Sequence, residues 1–130
     1  MSDSTANQDE QIAAAMQAYV DAMSGDDVEA IISLFTENAT IEDPIGSDPI
    51  TGHAGLREFY QGGMDAVEKM TLEGNPRIRG NWGACAMRAY PKGMDLKFCM
   101  ETLDVMEFNA EGKITRMTAY WGDRNIVTES

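Results

Sequence analysis

The hydrophobic pattern of this 130-residue chain changes its period near Thr71, and this change limits the folds open to it. Before Thr71, apolar residues recur at steps of three and four, which is typical of helices. Beyond it they alternate with polar residues, which is typical of strands. The pattern predicts helices at residues 12–23, 26–35 and 51–60, an extended stretch at 38–43, and strands at 72–79, 82–90, 94–108 and 114–121. Helices followed by an antiparallel meander predict an α+β fold, in which three helices cover one face of a curved sheet.

Length and charge restrict the class of protein. We interpret residues 1–10 as a flexible leader and residues 11–130 as a single domain, long enough to bury a core. With 10 basic and 22 acidic residues, the net charge of −12 argues against nucleic acid or an anionic membrane surface as a partner. The sequence shows neither an apolar run of membrane-spanning length nor a signal peptide, so we expect a cytoplasmic protein.

Asp104 is the residue that most strongly indicates chemistry. Alternate side chains of a strand point to opposite faces, so Asp104 shares a face with the apolar residues Met100 and Met106. A carboxyl group among apolar side chains, with no cation beside it, tends to keep its proton. In that state it is a hydrogen-bond donor, and we therefore predict a role for Asp104 in a functional site.

Three further residues can act together with Asp104. Tyr19 lies on the apolar stripe of the first helix, where alone it is more simply a core tyrosine with a satisfied hydroxyl. Beside a protonated Asp104 it would be the second donor of an oxyanion hole, and Tyr60 on the third helix can orient it. Asp43 precedes Pro44 at the end of an extended stretch, where it is either a turn residue or a general base at a pocket mouth.

Two other groups of residues are weaker candidates for a site. Glu42, Asp48 and His53 lie close together in sequence, but nothing in their spacing fixes a metal site, so we predict neither a metal nor a cofactor. Cys85 and Cys99 are placed symmetrically about a predicted turn and could face each other across a hairpin. In a reducing compartment we expect them to be buried thiols.

Taken together, the motifs resemble a known family. The segments that carry the resemblance are MQAY at 16–19, ATIEDPIG at 39–46, LDVMEF at 103–108 and MTAYW at 117–121. In this order they are similar to the bacterial Δ5-3-ketosteroid isomerases, and the resemblance runs from about residue 12 to residue 127. These enzymes belong to the NTF2-like, or SnoaL-like, superfamily. The resemblance thus implies a cone of three N-terminal helices on a curved antiparallel or mixed sheet.

The resemblance also implies a reaction, a site and a small-molecule steroid substrate. Asp43 would carry a proton from C4 to C6 of a 3-oxo-Δ5 steroid, while Tyr19 and a protonated Asp104 donate hydrogen bonds to the C3 oxygen. A neutral carboxylic acid acting as a donor is an established feature of this enzyme class and is carried over here by resemblance. Tyr60 would support Tyr19. The residues implied to line the steroid site are Phe59, Met87, Val105, Met117, Ala119 and Trp121. The reaction is redox-neutral and needs no cofactor.

The chain also departs from the family pattern. Phe35 stands where better-known members carry a third tyrosine, and Ala89 stands where relatives can place an aromatic ring against the steroid. Family members are homodimers. Leu103 and Val105, on the sheet face opposite Asp104, agree with a contact between the sheets of two subunits.

Two other functions stay open. One is a polyketide cyclase or dehydratase-type enzyme of the same superfamily, which commonly pairs a pocket aspartate with a histidine; His53 instead lies at the start of the third helix. The other is a non-catalytic module that binds a small apolar ligand. Such a module gains little from Asp104, because burying an unpartnered acid costs free energy.

Overall fold

The computed structural model describes residues 2–94 and 97–128, with side chains from residue 7 onward. Its helices are α1 (Ser2–Ser24), α2 (Val28–Ile32) and α3 (His53–Ala66), and a 3-10 turn spans Asp123–Asn125. Its strands are β1 (Phe35–Glu42), β2 (Ile50–Thr51), β3 (Val67–Arg79), β4 (Trp82–Pro91), β5 (Phe98–Phe108), β6 (Ile114–Tyr120) and β7 (Ile126–Thr128). The predicted order of helices first and a strand meander after is confirmed.

The strands form one mixed sheet in the order β2-β1-β6-β5-β4-β3, with β7 paired to β5. From β3 to β6 each strand is antiparallel to the next, as the alternating pattern predicted. Strand β1 instead lies parallel to β6, with Glu42 opposite Thr118. Because parallel neighbours run in the same direction, the end of β1 and the end of β6 lie at the same edge of the sheet.

Helix α1 packs on the sheet through the predicted apolar stripe. Ile12, Met16, Tyr19 and Val20 on this stripe are all buried. The helix comes close to β4 at Gly83, where an added methyl group would lie 2.5 Å from Met16 and 3.0 Å from Ile12. The missing side chain of Gly83 therefore allows α1 to rest directly on the sheet.

Three details of the helices and turns differ from prediction. Residues 2–10 belong to α1 rather than to a loose leader, in a segment that contains neither Gly nor Pro to end the helix. Helix α2 ends at Ile32, and Phe35 already begins β1. The helix begins at Val28 rather than at residue 26, and its N-cap is Asp27, whose carboxylate accepts from the Ala30 amide at 3.1 Å.

The two cysteines do not face each other. Cys85 lies opposite Asp104 in the β4–β5 ladder, and Ala89 lies opposite Met100, so Cys99 is out of register with Cys85. The connection between these strands is longer than the predicted three-residue turn, since β4 ends at Pro91 and β5 begins at Phe98 rather than at Met94. Both thiols are buried, as expected.

No helix in the described ranges is long and apolar enough to cross a membrane.

Candidate active site

A cavity of about 200 Å³ lies between α1, α3 and the concave face of the sheet and opens to solvent on one side. One end of it is polar, and it is lined there by Tyr19, Asp43, Tyr60, Thr102, Asp104 and Trp121. The remainder is apolar, and it is lined by Met23, Phe59, Gly63, Val67, Met70, Ala89 and Met100. A largely apolar pocket with a few polar groups at one end is typical of a site for a small organic ligand.

Asp104 is the more deeply buried of the two carboxyl groups in the site, with only 3% of its surface exposed. Burial raises the pKa of its carboxyl to about 8, and the charge of Asp43 adds to this effect. The Thr102 hydroxyl is near enough to the carboxylate to oppose part of the rise, although the two groups are not in full hydrogen-bond geometry. At neutral pH the Asp104 side chain is therefore mainly a neutral acid that can donate a hydrogen bond.

Tyr19 and Tyr60 form a buried pair at the polar end of the cavity. The Tyr19 hydroxyl donates to the Tyr60 hydroxyl at 3.0 Å, and the two rings meet edge to face with centroids 5.7 Å apart. Burial is the main cause that raises the pKa of both phenols well above its ordinary value. Phe35 stacks against Tyr60 at 5.8 Å where a third tyrosine would have extended the chain of hydroxyls. Both phenols are thus neutral donors at neutral pH.

Asp43 reaches the cavity from the loop that follows β1. The Ile45 amide donates to the Ala119 carbonyl oxygen at 2.8 Å, and this bond ties the loop to β6. The Trp121 indole Nε1 then donates to Asp43 Oδ1 at 2.7 Å. Burial raises the pKa of Asp43 above its ordinary value, and the bond from Trp121 works against that rise. Because β1 and β6 are parallel neighbours, the residues that follow them, Asp43 and Trp121, come together at the same edge of the sheet.

The predicted lining residues divide into three groups. Phe59 and Trp121 lie on the cavity wall. Met87, Met117 and Ala119 are buried in the core and are not among the residues that line the cavity. The prediction for Val105 is wrong, since Val105 lies on the opposite face of the sheet beside Trp82 and Ala84.

Several wall residues were missed by the sequence reasoning. Val67 and Met70 belong to the first part of β3, which begins five residues earlier than predicted. Met23 and Gly63 come from the ends of α1 and α3, where those helices border the cavity. The position of Met23 on the apolar stripe of α1 was a usable signal, whereas nothing in the sequence singles out Gly63.

The acidic loop and the single histidine form no cluster with each other. His53 Nε2 lies 3.1 Å from the Phe35 carbonyl oxygen, with which it can share a hydrogen bond. Glu42 accepts a bond from the Gly46 amide and closes the loop that carries Asp43. Across residues 7–94 and 97–128, no three His, Cys, Asp or Glu side chains come together as metal ligands would.

The arrangement brings a second carboxyl group, Asp43, together with two neutral donors around one cavity. Burial raises the pKa of both carboxyl groups, and in the nearly fully buried Asp104 the pKa reaches about 8. Two carboxyl groups whose environments separate their pKa values can serve as a base and an acid at the same pH. Tyr19 supplies a second donor at the same end. Such a site can remove a proton from carbon beside a carbonyl group and stabilise the enolate.

Comparison with known proteins gives consistent results. The SnoaL-like domain family matches residues 16–117. A curated relative, the Steroid Delta-isomerase of Nocardioides simplex, is 34% identical over 117 residues, which cover 90% of this chain and 94% of that protein. Among solved structures, the epoxide hydrolase/cyclase-like enzyme SalBIII, with a role in pyran ring formation in the polyether salinomycin, aligns with a TM-score of 0.82 at 33% identity. That alignment covers 93% of this chain and 98% of SalBIII, and it confirms the predicted NTF2-like cone.

Proposed function

Because the chain belongs to the SnoaL-like family, we propose that it is a steroid Δ-isomerase. It would move the C5–C6 double bond of a 3-oxo-Δ5 steroid to C4–C5 by intramolecular proton transfer. The observation that carries this proposal is that Asp43, Tyr19 and a buried, protonated Asp104 line the same cavity. The name of the 34% identical relative supports the same reaction.

The proton transfer begins and ends on Asp43. Its carboxylate takes a proton from C4, and the electrons of the broken C–H bond form a dienolate with the charge on the C3 oxygen. The protonated Asp43 then returns the proton to C6, and the dienolate collapses to the conjugated enone. No atom or electron is gained or lost overall, so the chain's own acids and base suffice for this chemistry. The bond from Trp121 holds the Asp43 carboxylate in one orientation between the two transfers.

The C3 oxygen gains negative charge in this reaction, and Tyr19 and Asp104 are the donors for it. Both groups are fixed before the substrate arrives, which makes them more effective than mobile water. In the absence of a ligand, the Tyr19 hydroxyl donates to Tyr60. A hydroxyl can rotate, so Tyr60 can donate to Tyr19 while Tyr19 donates to the substrate. Tyr60 thus acts by orienting Tyr19.

The apolar part of the cavity suits a flat hydrocarbon skeleton. Phe59 packs edge to face on Tyr60 with ring centroids 5.1 Å apart, and this fixes one wall beside the polar end. Ala89 leaves room where a bulkier residue would narrow the site. Met23, Met70 and Met100 add flexible side chains that can adapt to a ring system.

A direct assay tests the proposal. The protein is mixed with 5-androstene-3,17-dione, and the ultraviolet absorbance of the conjugated enone is followed. We expect catalysed turnover that is saturable in substrate and needs no added metal or cofactor. A protein that binds the steroid but produces no enone would support the non-catalytic ligand-binding module instead.

The similarity to SalBIII supports a second candidate, an enzyme of the polyketide cyclase type. Such an enzyme would use Asp104 to protonate an epoxide oxygen and Asp43 to remove the proton of an attacking hydroxyl. The same preparation is therefore assayed with an epoxy alcohol that can close to a pyran. Ring closure without any isomerase activity would favour the cyclase over the isomerase.

We also propose that the chain forms a homodimer through the sheet face opposite the cavity. Trp82, Leu103 and Tyr120 on this face are each more than 40% exposed, and Leu103 and Tyr120 are opposite one another across β5 and β6. Large apolar side chains exposed together on one face are typical of a protein interface.

Leu103→Lys is expected to shift the protein from dimer to monomer. The buried lysine charges of two subunits would lose water without gaining a partner. The measurement is sedimentation equilibrium, in which the mass should fall from twice 14.3 kDa toward 14.3 kDa. Met94→Lys changes an equally exposed residue in the β4–β5 connection and serves as the matched control. A wild-type protein that is monomeric at every concentration would contradict the proposal.

A further inference from the structure

The Thr102 hydroxyl is buried and has no hydrogen-bond partner among the residues that the structure describes. Buried hydroxyls without partners are rare in native proteins, and each one calls for an explanation. Thr102 lies on the cavity wall and two residues before Asp104 on the same face of β5. The mechanism proposed above makes no use of this hydroxyl.

We expect the hydrogen-bond partner of this hydroxyl to be a group of the protein itself. Oγ1 is buried although Thr102 borders the cavity, so water or a ligand has little access to it. On the neighbouring strand β4, Met87 lies opposite Thr102 and Cys85 lies opposite Asp104, and neither sulfur is a strong acceptor. Trp121 already donates to Asp43. The strong acceptor beside Thr102 is the Asp104 carboxyl, two residues along the strand, where Cα atoms are about 6–7 Å apart.

We propose that Thr102 is a positioning residue whose hydroxyl donates to one oxygen of the Asp104 carboxyl, both in the free protein and during turnover. A neutral carboxylic acid can carry its proton on either oxygen. A donor at one oxygen leaves that oxygen as the acceptor and puts the proton on the other. The Asp104 proton is then directed at the substrate oxygen. This inference rests on the proposed function, because it assigns Thr102 a part in building the same oxyanion hole.

The same hydrogen bond has a consequence that does not depend on turnover. A hydroxyl that donates to the ionised carboxylate stabilises the charged form and lowers the pKa of Asp104. Burial and Asp43 raise this pKa, Thr102 acts against them, and the result of the three effects is a pKa of about 8. Removing the hydroxyl should therefore raise the pKa of Asp104 further, whereas a serine should keep it unchanged.

The experiment compares wild type with Thr102→Val, which keeps the shape of the side chain, and Thr102→Ser, which keeps the hydroxyl. Protein labelled with ¹³C at the aspartate carboxyl carbons is titrated by NMR, and Asp104→Asn identifies the resonance. We expect Thr102→Val to titrate about one pH unit above wild type and Thr102→Ser to match wild type. With 5-androstene-3,17-dione, kcat should fall about fivefold to tenfold in Thr102→Val with KM unchanged, and Thr102→Ser should restore it.

Other outcomes would overturn the inference in distinct ways. An Asp104 resonance that titrates alike in all three proteins would show that the hydrogen bond does not form. A rise in KM alone in Thr102→Val would show that the hydroxyl contacts the substrate rather than Asp104. The titration does not depend on enzyme activity. A wild-type protein that is inert toward the steroid would therefore refute the isomerase proposal, and the titration would still test the hydrogen bond between Thr102 and Asp104. Thr102→Ala provides a second hydroxyl-free variant, and it should titrate as Thr102→Val does.

Discussion

Asp43→Asn is expected to reduce kcat for 5-androstene-3,17-dione by about 10⁴-fold, at the upper end of what one general base contributes. The effect is large because the same carboxylate performs both proton transfers, and an amide can perform neither. The Trp121 indole can still donate to the amide oxygen, so the loop and its hydrogen bond should survive. The measurement is the initial rate of enone formation under saturating substrate.

Two control variants separate loss of the base from loss of the loop. Asp43→Glu keeps the charge but moves it by one methylene, and a displacement of that size can cost about 10²-fold. Asp48→Asn removes an exposed carboxylate from the same loop and should keep the wild-type rate. Estradiol, whose phenol oxygen resembles the dienolate oxygen, should still bind to Asp43→Asn. Retention of more than a tenth of the activity in Asp43→Asn would end the assignment of Asp43 as the base.

The two acids illustrate what a sequence can and cannot predict. Alternation along β5 identified Asp104 as a carboxyl on an apolar face, and that residue is 3% exposed. Because the period of a strand is fixed at two residues, the sequence alone tells which side chains point to the same face of the sheet. The position of Asp43 depends instead on β1 lying parallel to β6, which no local pattern encodes. Only the family resemblance linked these two residues before the fold was known.

The errors about the pocket wall have several different origins. Alternation assigns a face but not a depth, so Met87 and Met117 were expected on the wall and lie in the packed core instead. The resemblance assigned Val105 to the pocket wall, although strand alternation puts it on the sheet face opposite to that of Asp104. The structure agrees with the alternation. Val67 and Met70 were missed because their segment, VEKM at 67–70, has no clear strand period. Long-range pairing with β4 makes it a strand.

Asp104→Ala is the second large change, with an expected loss of about 10²–10³-fold in kcat, the usual effect of removing one oxyanion donor. Tyr19 would remain as the other donor, so activity should be reduced rather than abolished. Asp104→Asn retains a neutral N–H donor in the same place and should lose much less. Cys85→Ala is the matched control, because it shortens the cross-strand neighbour of Asp104 without removing a donor. Unfolding curves of all three variants check that the fold persists.

The pH dependence of kcat/KM tests whether Asp104 acts as a neutral acid, because a residue that served only in packing would not change the rate as its carboxyl ionises. Asp43 must be ionised and Asp104 must be protonated, so kcat/KM should rise with pH through the pKa of Asp43, which lies above its ordinary value, and fall near pH 8. Above pH 8, ionised Asp104 loses its donor and repels the developing oxyanion. Asparagine does not ionise, so Asp104→Asn should keep the acid limb and lose the limb near pH 8. A wild-type profile that stays level from pH 6 to about pH 10, where free tyrosine begins to ionise, would mean that Asp104 does not act as a neutral acid.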